Sequence, residues 1–128
     1  YKHDGVTRTP NTTWLTNINE SSDWSSSNDP CTIELGSGWR IPTYSEWSNV
    51  IANWSNIFDS YNSVLKLHAA GGLNYYNGTS ESRGNQGYYY CSTQYNATIG
   101  RYINIDYNWA GLTTNHKSDA KPIRCLRD

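Results

Sequence analysis

Apolar residues recur at helical spacing in one stretch. Trp47, Val50, Ile51 and Trp54 fall at i, i+3, i+4 and i+7, with Ser45, Ser48, Asn49, Ala52 and Asn53 on the other face. The pattern predicts an amphipathic helix over 43–54, and its start is chemically marked. Pro42 biases Ile41 away from helical backbone, Thr43 stands at the N-cap, and Glu46 three residues later completes a capping box. Ile57, Phe58, Tyr61, Val64 and Leu65 repeat the spacing more loosely and predict a second short helix. The period then changes to two. Ile99, Arg101, Ile103 and Ile105 alternate with Tyr102, Asn104 and Asp106, which predicts a strand with one mainly aliphatic and one polar face. Residues 88–92 and 122–126 read as further strands, 65–69 as extended chain ended by Gly71-Gly72, and 13–16 as a short β-prone segment. Residues 21–30 form a polar loop around Trp24, 74–86 a long surface loop, and 110–120 a polar hairpin or loop. Residues 1–12 hold few apolar groups and are either a first strand or a frayed end. Helices early and strands late give an α+β class, with one or two helices packed on small antiparallel sheets joined by long loops.

Composition narrows this to one domain spanning all 128 residues, long enough to bury a core. With 6 Trp and 11 Tyr against 1 Phe and no Met, the core is expected to lean on Trp and aliphatics. Much of the Tyr is then expected at surfaces and half-buried sites. A net charge of −1 gives no electrostatic case for nucleic acid or anionic membrane. No transmembrane run or signal peptide is evident, so the chain is expected to begin inside a mature protein or at a trimmed end.

Candidate chemistry is sparse. His3, His68 and His116 have no metal-ligand spacing, no Cys-x-x-Cys occurs, and no serine sits in a nucleophile elbow. Asn104-x-Asp106-x-Asn108 opens like a calcium loop, but Trp109 replaces the glycine and Asn115 the closing acid. Sequons at Asn11, Asn19, Asn53, Asn77 and Asn96 are expected by chance in a chain this rich in Asn, Ser and Thr. No catalytic residue, metal or cofactor is expected. Three cysteines form an odd set, so one is left over from any pairing.

Four motifs resemble a known family. Asp29-Pro30-Cys31, Gly38-Trp39-Arg40-Ile41-Pro42-Thr43 and Glu46-Trp47 are similar to the "DPC…GWR-[LIV]-PT-x-x-EW" signature of the Fibrobacter succinogenes major paralogous domain. Residues 65–71 resemble its "LKLPAAG", 87–93 its "GYYWSST", and 122–128 its closing "VRCV-D". Tyr90 stands where the family usually has Trp, and Cys91 where it has Ser. The resemblance implies a C-type-lectin-like fold related to the formylglycine-generating enzymes. It also implies a disulfide between Cys31, ahead of the first helix, and Cys125 on the last strand, hence an oxidising compartment. Cys91 is then either a small buried residue or a partly exposed thiol. The Glu-Pro-Asn, Gln-Pro-Asp and Trp-Asn-Asp triplets of calcium-dependent lectins are missing, and formylglycine-type chemistry lacks its cysteines.

The C-terminal third carries the functional reading. Tyr, Asn, Ser and Thr cluster there at positions the aliphatic pattern leaves free, a composition suited to adaptable binding surfaces. A generic polar sheet edge is the plain alternative. The expected binding face comprises Tyr90, Gln94, Tyr95, Asn96, Tyr102, Asn104, Asp106, Tyr107, Asn108, Trp109, Asn115, His116 and Lys117. The resemblance further implies a variable protein of a diversity-generating retroelement, in which adenine-directed mutagenesis of Asn-type codons yields Tyr, Asp, Ser or His. The same process would turn an AGC serine codon into the cysteine codon of Cys91. A secreted or surface-displayed module of a larger bacterial or phage surface or tail protein follows as the expectation. Its partner would be a host or bacterial surface protein or glycan, with no nucleic acid and no membrane insertion. The alternatives are a structural module of a pilus or surface assembly, or a formylglycine-type enzyme.

Overall fold

The computed structural model describes residues 14–128. Three short helices precede most of the sheet: α1 (Pro30–Leu35), α2 (Tyr44–Ile51) and α3 (Ile57–Asn62), with β1 (Trp39–Arg40) between the first two. The strands β2 (Gly72–Leu73), β3 (Ser80–Glu81), β4 (Gly87–Tyr90), β5 (Ile99–Ile105), β6 (Ala110–His116) and β7 (Leu126–Arg127) follow. They form three antiparallel sheets, β1-β7, β2-β3 and β4-β5-β6, so the class is α+β.

Each helix starts on a side-chain cap. Thr43 and Glu46 form the expected capping box on α2. Asn56 Oδ1 accepts from the Phe58 and Asp59 amides to start α3. The unexpected helix, α1, falls at the end of the predicted polar loop. Asp29 caps it by accepting from the Cys31 and Thr32 amides, and Pro30 is preset for the first turn.

The motif residues prove to be scaffold. The buried Asp29 carboxylate also accepts the Ile41 amide at 2.8 Å, which ties the loop to the approach of α2. Arg40 grips both oxygens of Glu46 (2.8 and 2.7 Å) and reaches Asp128 from Nε (3.0 Å). The Trp47 indole donates to the Tyr90 carbonyl at 3.1 Å, fastening α2 to β4. Cys31 and Cys125 form a disulfide. Cys31 lies within α1 rather than ahead of the first helix, and Cys125 lies just before β7.

The core fills the space between α2, α3 and one face of the three-stranded sheet, with Trp47, Ile51, Ile57, Leu67, Tyr89, Cys91, Ile103 and Ile105 all buried. The opposite face, expected to be polar, holds a second buried cluster of Tyr88, Tyr90 and Tyr102 packed on Trp24. Both faces are therefore covered, and four tyrosines lie in the interior, while Tyr44, Tyr61, Tyr75, Tyr76, Tyr95 and Tyr107 are exposed or half-buried as expected from composition. Burial is tolerated because the hydroxyls find partners. Tyr88 donates to Ser82 and Gln86, Tyr89 to the His68 carbonyl (3.1 Å), and Tyr90 to the Asp119 carbonyl (2.6 Å).

Other expectations shift. No strand forms over 14–16 or 65–69, and Thr13 with residues 1–12 lies outside the described residues. The 74–86 loop includes β3, and the last strand is shorter and later than predicted. In 110–120, seven residues form β6. Its Thr and Asn side chains carry little hydrophobic alternation, so it is its antiparallel pairing along all of β5 that makes it a strand.

Candidate ligand-binding surface

The predicted face divides into three groups. Tyr90 and Tyr102 are buried, so neither ring is displayed, because the chain before α1 and the β2–β3 hairpin cover their side of the sheet. Burial raises both phenol pKa values above the ordinary 10; the Asp119 carboxylate adds to the rise, and at Tyr102 the Lys121 ammonium opposes it.

A second group shapes backbone. Asp106 Oδ1 accepts the Asn108 and Trp109 amides, both at 2.8 Å, and builds the β5–β6 turn. Asn96 Oδ1 does the same ahead of β5, accepting the Thr98 and Ile99 amides. Gln94, Asn104, Asn115, His116 and Lys117 are partly buried. Lys117 Nζ donates to the Glu20 carbonyl (2.6 Å) and to Gln94 Oε1, His116 stacks on Tyr75 at 4.2 Å, and Asn115 bonds Tyr102. Burial lowers the Lys117 pKa, opposed by the fields of Glu20 and Asp23.

The third group is displayed: Tyr95, Tyr107, Asn108 and Trp109 are exposed, as is Asn96 of the second group. They lie at two ends of β5, about 20 Å apart at strand rise. At one end Arg101 lies under Tyr95 (5.4 Å) and over Tyr44 (4.4 Å). At the other, Tyr107 meets Phe58 of α3 at 5.8 Å, and Tyr61 lies one helical turn further along α3. Phe58, Tyr61, Tyr107 and Trp109 are all about half exposed, which makes this the larger aromatic patch. Its base is firm. The Ile57 amide donates to the Asp106 carbonyl (2.7 Å), the Asp106 amide to the Trp109 carbonyl (2.8 Å), and the Trp109 ring folds over Gly111.

Compared with known proteins, the chain matches no family model, no curated protein and no solved structure.

Phe58 and Tyr61 are not among the residues of the expected binding face, because their near-helical spacing with Ile57, Val64 and Leu65 predicts a helix without saying which of them face solvent. The signal that separates them is Ile57 with Ser60, an i, i+3 pair that takes the inward face. Cys91 is free and buried, and burial pushes its thiol up to about 12 despite the nearby Arg101 charge. Among the described residues, no three His, Cys, Asp or Glu side chains gather where they could hold a metal ion. The arrangement offers contact area and hydrogen bonding.

Proposed function

We propose that this chain is a non-enzymatic ligand-binding display module of the C-type-lectin-like fold, presenting an adhesin-like surface to a protein or glycan. The observation that carries the reading is the Tyr107-Asn108-Trp109 turn beside Phe58 and Tyr61. It sets exposed aromatic rings on a hydrogen-bonded base joined to both a helix and the central sheet. Aromatic side chains supply contact area at low entropic cost, and Asn108 supplies polar contacts. Supporting the fold are the pairing of β1 with β7, the disulfide and the motif residues in scaffold roles. The disulfide also suits a secreted or surface location, as does the lack, among the described residues, of any helix long and apolar enough to cross a membrane.

A formylglycine-type alternative would need a reactive Cys91. Thiolate is the reactive form, and a buried thiol raised to about 12 stays protonated.

Retroelement diversification belongs to the same proposal. Sequencing the flanking DNA across sister isolates should find a near-identical repeat differing at adenines. The variant codons should fall on Tyr95, Asn96, Tyr107, Asn108 and Trp109, and a constant region with no such repeat would remove this part of the reading. Binding itself is tested by screening glycan and surface-protein arrays with the full chain and its Tyr107→Ala/Trp109→Ala variant. The double variant should melt like the parent and lose at least about tenfold in affinity, the scale of aromatic hot spots. A hit that survives the double substitution would place the binding surface elsewhere.

A further inference from the structure

A second site lies at the other end of β5 from the Tyr107 turn. Arg101 stands in the row of Ile99, Ile103 and Ile105 that faces the helices, so a cation occupies a place where the pattern calls for an aliphatic side chain. Two tyrosine rings hold its guanidinium, Tyr44 from the first turn of α2 at 4.4 Å and Tyr95 from the loop before β5 at 5.4 Å. Both rings have anchored backbones. The Tyr44 amide donates to Thr93 Oγ1 at 3.2 Å, and the Tyr95 amide to the Ile99 carbonyl at 3.0 Å.

The guanidinium has rings around it but no acceptor. Among the described residues, Arg40 pairs with Glu46 and Asp128, and Lys121 with Glu81 and Asp119, while Arg101 meets no carboxylate and donates no hydrogen bond. Its Nε is shut away from water and lies outside the reach of a ligand. The side chain as a whole is only half-buried, and its terminal nitrogens keep their access to solvent. A half-buried guanidinium has given up part of its hydration, so an anion that restores hydrogen bonds to the terminal nitrogens is favoured. The ring contacts also order the side chain in advance, which lowers the entropic cost of using it.

We propose that Arg101, held by Tyr44 and Tyr95, binds the carboxylate of an acidic sugar. The planar guanidinium matches a carboxylate in shape and charge, and one cation suits a singly charged group better than a phosphate dianion. The rim favours a sugar over an acidic peptide strand. Peptide strands dock by backbone pairing, and the amides of Tyr44, Tyr95, Asn96, Thr98 and Ile99 are already used inside the chain. What the rim leaves open is side chain. The Tyr95 ring, 60% exposed, offers a surface for the C–H groups of a sugar ring, and the exposed Asn96 keeps its amide nitrogen for a hydroxyl. This site is independent of the Tyr107 patch, and each can fail without the other.

The test titrates glucuronate, neutral glucose and N-acetylglutamate amide into the full chain, followed by NMR chemical shifts. Glucuronate should bind at least about tenfold more tightly than glucose, the scale of a hydrogen bond to a charged group, and Arg101→Gln should remove that preference. The shifts should gather around Tyr95 and leave the Trp109 indole resonance unmoved. Should Arg101→Gln fail to fold by circular dichroism, Tyr95→Ala decides, with an expected loss of at least threefold in glucuronate affinity. Equal binding of glucose, no glucuronate binding at tens of millimolar, or acetylglutamate amide binding as tightly as glucuronate would each overturn the proposal. So would shifts confined to the Trp109 end, or an affinity unchanged in the folded variant.

Discussion

Glu46 joins three parts of the chain through one carboxylate. It accepts the Thr43 amide and hydroxyl at 2.8 and 2.9 Å, closing the cap of α2, and takes both terminal nitrogens of Arg40. The Arg40 bonds are the main reason its pKa falls from the ordinary 4.5 to about 2, with Thr43 adding to the effect and burial opposing it. A depressed carboxyl pKa stabilises the fold above the unfolded value and loses that contribution as pH falls through the folded one. Glu46→Gln keeps an acceptor for the cap and removes the charge. The melting-temperature gap between parent and Glu46→Gln should be full at pH 7, shrink below pH 4.5 and nearly close by pH 2. Both side chains are about one-third exposed, so water screens the pair and the gap will be modest. A gap that does not change with pH would remove the charged bond from the account.

The β5–β6 hairpin combines a rigid ladder with a displayed tip. Seven residue pairs run from Ile99↔His116 to Ile105↔Ala110, and Asp106 organises the turn. Gly111 is the contact that sets the tip. A Cβ there would come within 2.1 Å of Trp109 Cζ2, so any larger residue must push the indole away. The ring is the far end of a half-exposed side chain, so it can move without disturbing the ladder. Gly111→Ala should therefore shift the Trp109 indole resonance in an NMR spectrum and weaken partner binding, with the melting temperature nearly unchanged. An unmoved indole signal would mean that the ring does not rest on Gly111. Gly87 and Gly71 are tighter constraints, since a Cβ at either would meet main-chain atoms.

Across the whole molecule, two devices close the chain on itself. β1 pairs with β7, and the disulfide joins positions 94 residues apart with a Cα–Cα distance of 5.6 Å. Closing a loop of that length restricts the unfolded chain by about 4.5 kcal/mol in the entropy model. Urea unfolding of the Cys31→Ser/Cys125→Ser variant should show a loss of this order, and an equal midpoint would show that the packed ends suffice. Cys91 provides an internal control. An alkylating reagent at pH 8 should leave the native chain unmodified and add one group after unfolding, because the thiol is buried and raised to about 12. Rapid native alkylation would revive the reactive-cysteine alternative.

Local chemistry made some of this legible from residue order. The Pro42, Thr43 and Glu46 pattern marks the start of α2 because caps act within four residues, and the two-residue period of 99–105 marks β5 because alternation is a property of the strand itself. The α+β class follows from those periods. The fate of the tyrosines does not, because a ring that suits a surface also suits an interior with a hydroxyl acceptor nearby. Those acceptors, such as the His68 and Asp119 carbonyls, arrive from distant segments. For the same reason the expected binding face separated into buried, turn-forming and displayed residues. Composition told which side chains could bind, and long-range packing chose which of them reach solvent, joined Phe58 to Tyr107, and closed Asp119 away from water.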